Sequence, residues 1–272
     1  MSIPKEYNYP LTYFNSINMK KAISTLVCLM LFAAVTFAQN TDSVKTQAKK
    51  NIIKLNLFSL PLKNINLEYE RGLSKSISVA FGVRYMKEGS LPFANSIANS
   101  IGEDEDNWDD RLRTATLGNY ALTTTFRFYL GSGNLKGFYI APFARYAKYT
   151  AGLNYSFEVT NGTTTQSEDI YLSGSIKTLT GGLLFGSQFN LSKNLSLDWW
   201  IFGPQYGTSD GLISGKKQLS TDEQNALNDQ LSEIEDLPLV KATYTVNSSG
   251  ATVNFKGPWA GIRAGLSLGF RF

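Results

Sequence analysis

The stretch Ser76-Ile77-Ser78-Val79-Ala80-Phe81-Gly82-Val83-Arg84-Tyr85-Met86 decides the fold class. Its odd positions, Ile77, Val79, Phe81, Val83 and Tyr85, are all apolar, and the even ones carry Ser76, Ser78, Ala80, Gly82 and Arg84. A period of two marks a strand whose side chains alternate between two faces. The same split of a large apolar face against a small or charged one recurs along the chain. Ile53, Leu55 and Leu57 oppose Lys54 and Asn56; Ile65, Leu67 and Tyr69 oppose Asn66, Glu68 and Glu70. Tyr120, Leu122, Phe126, Phe128 and Leu130 oppose Asn119, Thr123, Thr125 and Arg127. Phe138, Ile140 and Tyr146 oppose Tyr139 and Arg145, in a segment weakened by Pro142. Leu183, Phe185 and Phe189 oppose Gly182, Gly186, Gln188 and Asn190, and Leu195, Leu197, Trp199 and Ile201 oppose Ser196 and Asp198. The last segment sets Ala260, Ile262, Ala264, Leu266, Leu268, Phe270 and Phe272 against Gly261, Arg263, Gly265, Ser267, Gly269 and Arg271. Eight strands are expected.

The connections alternate as well. Arg71 to Lys75, Gly131 to Gly137 and Ser192 to Asn194 are short turns rich in Gly, Ser and Asn, while Lys87 to Ala115, Thr150 to Lys177 and Gly207 to Pro258 are long and polar. Ser59 to Lys63 is short but falls on the long side. Leu73-Ser74-Lys75-Ser76-Ile77-Ser78 and Leu191-Ser192-Lys193-Asn194-Leu195-Ser196 echo each other, which reads as shared turn chemistry. Short turns at one end and long connections at the other are the layout of an all-β, eight-stranded antiparallel up-and-down transmembrane β-barrel in an outer membrane. A two-sheet sandwich or a secreted lipocalin-like barrel also alternates, but would pack the large apolar face inward and wet the other. Here the other face is mostly Gly, Ala, Ser and Thr with sparse charges, which suits a narrow lumen. Tyr85, Phe128-Tyr129, Phe138-Tyr139, Trp259 and Phe272 cluster toward strand ends, as an interfacial aromatic girdle requires.

Composition agrees. In 272 residues the chain is 43% hydrophobic, 13% aromatic and only 18% charged, with a net charge of +4, too small to argue for nucleic acid. Its mean hydropathy is −0.15, with no apolar run long enough for a spanning helix. There is no His, which removes Ser-His-Asp and Cys-His catalysis and His-ligated metals.

Lys20 and Lys21 after Met19 form a positive n-region, Ala22 to Val35 an apolar core, and Thr36-Phe37-Ala38 a small-residue approach to Gln39. This reads as a secretory signal peptide cleaved between Ala38 and Gln39. Met1 to Asn18 then read as an early start, residues 39–50 as a polar periplasmic linker and 51–272 as the barrel domain. Val27 stands where a lipoprotein box at Cys28 needs a small residue, so lipidation is not expected. Cleavage would remove Cys28, the only cysteine, together with Lys5, Lys20, Lys21 and Glu6, lowering the net charge from +4 to +2.

The last strand, with Ala264, Leu266, Leu268, Phe270 and Phe272 at alternating positions, resembles the C-terminal signal that outer-membrane assembly machinery reads on its substrates. The plan as a whole resembles the small eight-stranded barrels of the OmpA and OmpX type. The opening Lys54-Leu55-Asn56-Leu57, followed by Leu67-Glu68-Tyr69-Glu70-Arg71-Gly72-Leu73-Ser74, resembles a family of uncharacterised outer-membrane barrels. The resemblance implies location and fold far more than activity.

The candidate site is the luminal charge network of Lys54, Glu68, Glu70, Arg84, Arg127, Arg145, Asp198, Arg263 and Arg271. Eight strands leave a lumen just wide enough for side chains to fill, so a structural plug is the expectation, with a selective pore or proton relay as the alternative. Glu103-Asp104-Glu105-Asp106-Asn107-Trp108-Asp109-Asp110 reads as a solvated acidic loop, because Trp108 occupies a ligand position of an EF-hand pattern and no Gly follows. Ser220-Thr221-Asp222-Glu223 reads as a capping box opening a helix with Ala226, Leu227, Leu231 and Ile234 on one stripe, bounded by Pro238. No cofactor, metal or catalytic residue is expected. The expected function is a structural or interaction scaffold displaying long extracellular loops. Its expected partners are membrane lipid and lipopolysaccharide, the assembly machinery and an envelope or extracellular protein. The alternative is a narrow channel for small polar solutes.

Overall fold

The computed structural model describes residues 49–101, 108–131, 133–161, 164–232 and 241–272. The signal-peptide assignment, with Lys20, Lys21, Ala38 and Gln39, lies outside the described residues, as do Glu103 to Asn107, Ile234 and Pro238. Eight strands close a ring: β1 (Asn51–Asn56), β2 (Ile65–Gly72), β3 (Ile77–Ser90), β4 (Thr116–Tyr129), β5 (Gly137–Asn161), β6 (Thr164–Asn190), β7 (Leu195–Lys216) and β9 (Gly250–Arg271). Each pairs antiparallel with the next, and β9 returns to β1 with Ile52 opposite Arg271 and Asn56 opposite Ser267. Closure removes every sheet edge at that level, which is what lets a β-structure sit where no water can satisfy its backbone. A ninth strand, β8 (Lys241–Asn247), pairs with β9 from Gly250 to Lys256, well along that strand from its pairing with β1.

The exterior is the apolar face. Phe81 is 54%, Leu122 54%, Leu179 61% and Ile262 68% exposed, while Lys54, Glu70, Arg127 and Asp198 are buried inside. This is the reverse of a soluble barrel. The two echoing turns are built alike. The Ser74 hydroxyl accepts from the amides of Ser76 and Ile77, and the Ser192 hydroxyl from those of Asn194 and Leu195. In β5, Pro142 faces outward, and the β4–β5 ladder lapses between Thr125–Phe143 and Phe128–Ile140, as a residue without an N–H requires.

The three long connections differ from the expectation of polar loops. Thr150 to Lys177 is no loop: β5 and β6 stay paired from Gly137–Gln188 out to Asn161–Thr164. Gly207 to Pro258 is likewise largely a continuation of β7 and β9, which pair up to Lys216–Gly250, with α3 (Thr221–Ser232) and β8 between them. Lys87 to Ala115 holds two short helices, α1 (Ala94–Ile101) and α2 (Trp108–Thr114). Arg113 donates to Asn95 and Asn99 to hold them together, and Arg111 stacks over Tyr155 of β5. Phe157 and Val159 of β5, Ile170 of β6, Leu219, Leu227 of α3 and Ala251 of β9 bury a second core above the barrel, against which Ala226, Leu231 and Val246 pack. The α3 stripe is therefore occupied by the protein's own strands.

Candidate functional site

All eight ring strands contribute to the half of the lumen nearer the short turns. Lys54 Nζ from β1 lies 2.5 Å from Glu70 Oε2, 2.6 Å from Asp198 Oδ2, 2.6 Å from Gln188 Oε1 and 3.5 Å from Glu68 Oε1. Arg127 from β4 reaches the same carboxylates, with Nη1 at 2.6 Å from Asp198 and 3.3 Å from Glu70, and Nη2 at 2.5 Å from Glu68. Its guanidinium also lies 4.8 Å from the Tyr139 ring centroid. Glu70 further accepts from the hydroxyls of Ser78 (2.5 Å) and Tyr129 (2.6 Å), and Asp198 from Tyr139 (2.7 Å) and Trp200 Nε1 (3.2 Å). Alternation along each strand brings these groups together, since every one stands on the inward parity. β9 contributes absence: a Cβ at Gly269 would lie 2.5 Å from Ser196 Oγ and 2.8 Å from Ile52, so glycine leaves the room that the β1 and β7 side chains occupy.

Buried ions tolerate a dry interior only when paired and hydrogen-bonded; here Glu70 and Asp198 each have several donors, and Glu68 accepts from Arg127 with Lys54 beside it. Below the network the lumen is closed by carbon. Leu135, in the β4–β5 turn, is 2% exposed and packs with Ile52, Tyr129 and Tyr139, while Gln188 donates to its carbonyl at 2.7 Å. Arg271 donates to the Asn190 side chain and to the Asn134 carbonyl, tying the same turn to β9 and β6. The short-turn half is a filled plug.

The other half differs. Arg145 donates to Thr123 at 3.1 Å, and Arg263 stacks over Phe143 and Trp200 at 4.7 and 5.0 Å. Among the described residues no carboxylate pairs with Arg84, Arg145 or Arg263. Above them Tyr149 and Trp259 stack at 5.6 Å, joining β5 to β9 over two intervening strands.

The nine residues expected in one network therefore divide in three. Lys54, Glu68, Glu70, Arg127 and Asp198 are joined; Arg84, Arg145 and Arg263 form a separate cationic level; Arg271 guards the short-turn mouth. Tyr129 and Tyr139, assigned to a girdle, instead turn inward as donors to the network, and Trp259 also faces in. Phe138, Phe128, Tyr85 and Phe272 do face out. Trp200 and Gln188 entered no functional reading of the sequence. For Trp200 the obstacle is a bulge: Ile201 and Phe202 are both exposed, and the inward parity changes from even at Trp200 to odd at Gly203. Leu266, Leu268, Phe270 and Phe272 alternate with the inward residues of β9. No group of side chains suited to a metal ion occurs among the described residues.

A family model described as "Protein of unknown function (DUF3575)" matches residues 27–206. The chain belongs to that family. The DUF3575 match takes in the whole paired network together with Arg84 and Arg145, and stops before Arg263, Arg271 and the superstructure of α3 and β8. No curated protein matches the chain. Among solved structures, the N-terminal β-barrel domain of Pseudomonas aeruginosa OprF is similar at 9% identity and a TM-score of 0.23, covering 83% of this chain and 100% of that one. The β domain of the Bordetella autotransporter BrkA is similar at 12% identity, also with a TM-score of 0.23, covering 83% and 99%.

Proposed function

We propose that this DUF3575 barrel is an outer-membrane protein with a sealed lumen, serving as a scaffold that carries an ordered superstructure on the outer side. The observation that carries the membrane part is the apolar exterior, which no soluble monomer of this size leaves uncovered. Tyr85, Tyr120, Tyr146 and Tyr206 stand exposed or half-exposed along the long-connection edge of the band. Lys148 pairs with Lys177, Lys177 with Asp210, Asp210 with Lys256 and Lys256 with Lys241, a mainly basic row that continues through Tyr120 and Tyr85 and lies just beyond Tyr146 and Tyr206. Tyrosines at an interface with lysines beyond them match a lipid headgroup level, and phosphorylated outer-leaflet lipid such as lipopolysaccharide fits that row. No described helix is long and apolar enough to cross a membrane, so spanning would rest on the strands alone.

The scaffold reading rests on the plug. Lys54, Arg127 and the three carboxylates fill the short-turn half of the lumen with paired charges, and Leu135 closes the path below. No catalytic role is proposed for any residue. The outer face of the superstructure would be the place for an envelope or extracellular protein partner, and the assembly machinery would read Leu266, Leu268, Phe270 and Phe272. Purified protein in planar bilayers should show no discrete conductance steps. Reproducible openings from the folded monomer would replace the scaffold with the narrow channel for small polar solutes. Cell fractionation should recover the protein in the outer membrane with a gel mobility that slows on boiling; recovery as soluble protein without that shift would remove the membrane reading.

A further inference from the structure

The charges of the lumen do not balance. In the plug, two cations (Lys54 and Arg127) face three carboxylates (Glu68, Glu70 and Asp198), an excess of one negative charge. Beyond it stand three arginines on three strands, Arg84 on β3, Arg145 on β5 and Arg263 on β9. Setting aside Arg271 at the short-turn mouth, two positive charges are left without a partner among the described residues. The three are near enough that the charges of Arg145 and Arg84 bear on Arg263, with Glu68 of the plug, already held by Arg127 and Lys54, the one carboxylate whose charge opposes them there. Like charges held together in a narrow barrel cost free energy unless something opposite lies among them.

Hydrogen bonding points the same way. Nη1 of Arg263 and Nε of Arg84 are shut off from solvent and have no hydrogen-bond partner. A guanidinium N–H left unpaired and buried is expensive, and two of them, on β3 and β9 of the same ring, mark a place for an acceptor. The immediate hydrogen-bonding surroundings are neutral polar groups: Thr123 accepts from Arg145, and the Thr180 hydroxyl reaches Gln205 at 3.3 Å. Phe143 and Trp200 back the Arg263 guanidinium and hold its plane. The plug blocks this level from the short-turn side, so access is from the long-connection mouth, past the Tyr149–Trp259 stack.

We propose that Arg84, Arg145 and Arg263 form a binding site for a small doubly charged oxyanion of phosphate or sulfate size. Guanidinium groups suit it because each presents two or more N–H donors in a plane to an oxyanion edge. Two negative charges would balance the plug and the three arginines taken together, which a single carboxylate or chloride ion would not.

The test uses the full chain refolded in an uncharged detergent at constant ionic strength, with sodium chloride exchanged stepwise for sodium sulfate or inorganic phosphate. Titration calorimetry should give one saturable site for sulfate or phosphate and none for chloride. The unfolding temperature should rise with the logarithm of anion concentration above saturation. Sulfate stabilises proteins generally by exclusion from their surface, so Lys193→Gln, exposed in the short turn between β6 and β7 and away from the lysine row, serves as the control and should keep the whole response. Arg263→Gln and Arg145→Gln should each weaken binding by at least about tenfold, the factor implied by one lost charge-assisted hydrogen bond. In chloride alone Arg84→Gln should unfold no earlier than the parent, because a repelling charge is gone; a merely structural arginine would lower that temperature in every salt. A non-saturable sulfate effect shared by parent and arginine variants, or variants destabilised equally in chloride and sulfate, would overturn the site. Conductance plays no part in this readout, so either result leaves the sealed-lumen reading where it stands.

Discussion

Lys54, like Arg127, is within reach of all three plug carboxylates; it also donates to Gln188, and its side chain is fully buried. Removing it leaves three acids facing Arg127 alone, an uncompensated charge in a dry interior. Lys54→Met should therefore cost roughly 3–5 kcal/mol, and adding Asp198→Asn should recover part of that loss rather than deepen it. Urea unfolding of refolded protein checks both; additive losses would mean that the ions do not act as a unit. Gly186 is the second sensitive point. A Cβ there would lie 2.4 Å from Tyr139 Cζ and hydroxyl oxygen and 2.7 Å from the Trp199 carbonyl, so alanine must push the ring off Asp198. Gly186→Ala should cost roughly 1–3 kcal/mol as overpacking. Gly82→Ala meets nothing closer than 3.7 Å and should be nearly neutral in the same assay. At this scale the charged residues were legible because parity alone sends them inward. Tyr129 and Tyr139 were not, since an aromatic near a strand end suits a girdle as well as a lumen. Only the three-dimensional position of Glu70 and Asp198 shows that their hydroxyls have acceptors.

Elements carry their own tests. On β9, Leu266 faces out between the inward Gly265 and Ser267. In a bilayer Leu266→Arg should cost roughly 2–4 kcal/mol, read as lowered outer-membrane yield and refolding, while Ser267→Gly on the opposite face should be mild. Gly265→Ser is less innocent than its parity suggests, because a Cβ there would meet the Asn56 amide at 2.4 Å. Harmless arginine at 266 would invalidate the face assignment. The helix α3 is held by a reciprocal cap: Ser220 N donates to Glu223 Oε2 at 2.7 Å and Glu223 N to Ser220 Oγ at 3.3 Å. That backbone bond, joined by Lys217 at 3.1 Å, keeps the Glu223 carboxyl below its ordinary value of 4.5. A depressed carboxyl stabilises above its unfolded value and loses that contribution as pH falls through its folded one. Protection factors of the α3 amides should therefore fall as the pH is lowered below 4.5 while those of the barrel amides hold, and Ser220→Ala should produce the same local opening at neutral pH. The cap was legible as a spacing of four residues. The β5–β6 ribbon carried a signal too: Leu153, Tyr155, Phe157 and Val159 alternate without a break from the barrel strand. Their polar neighbours Asn154, Ser156 and Glu158 gave the stretch the composition of a loop, and the partner core from α3 and β8 is invisible to local periodicity.

Among the described residues two cores share strands but no buried apolar residue. Ile52, Tyr129, Leu135, Tyr139, Phe143, Leu184 and Trp200 belong to the lumen, and Phe157, Val159, Ile170, Leu219, Leu227 and Ala251 to the superstructure. Between them lies the register row of Lys148, Lys177, Asp210 and Lys256. The barrel below this row keeps its closed ladder, the plug and all three unpaired arginines. The cap above it depends on four long strands rising out of the ring. Cutting at paired residues preserves register, since Gly152 faces Ser173 and Asp210 faces Lys256. An Asn-Gly turn joining each pair replaces residues 153–172 and 211–255 with a connection whose twist suits an antiparallel hairpin. This minimal barrel should refold, retain a mobility that slows on boiling and unfold in one cooperative step, because none of its buried ion pairs or lumen packing has been touched. It should also keep the sulfate response, since Arg84, Arg145 and Arg263 remain. Proteolysis of the full chain should correspondingly begin in the superstructure and stop at the lysine row, leaving a resistant barrel of similar boundaries. A minimal barrel that fails to close, or a full chain digested from the short-turn end first, would mean that the upper core holds the lower one together and that the two do not stand independently.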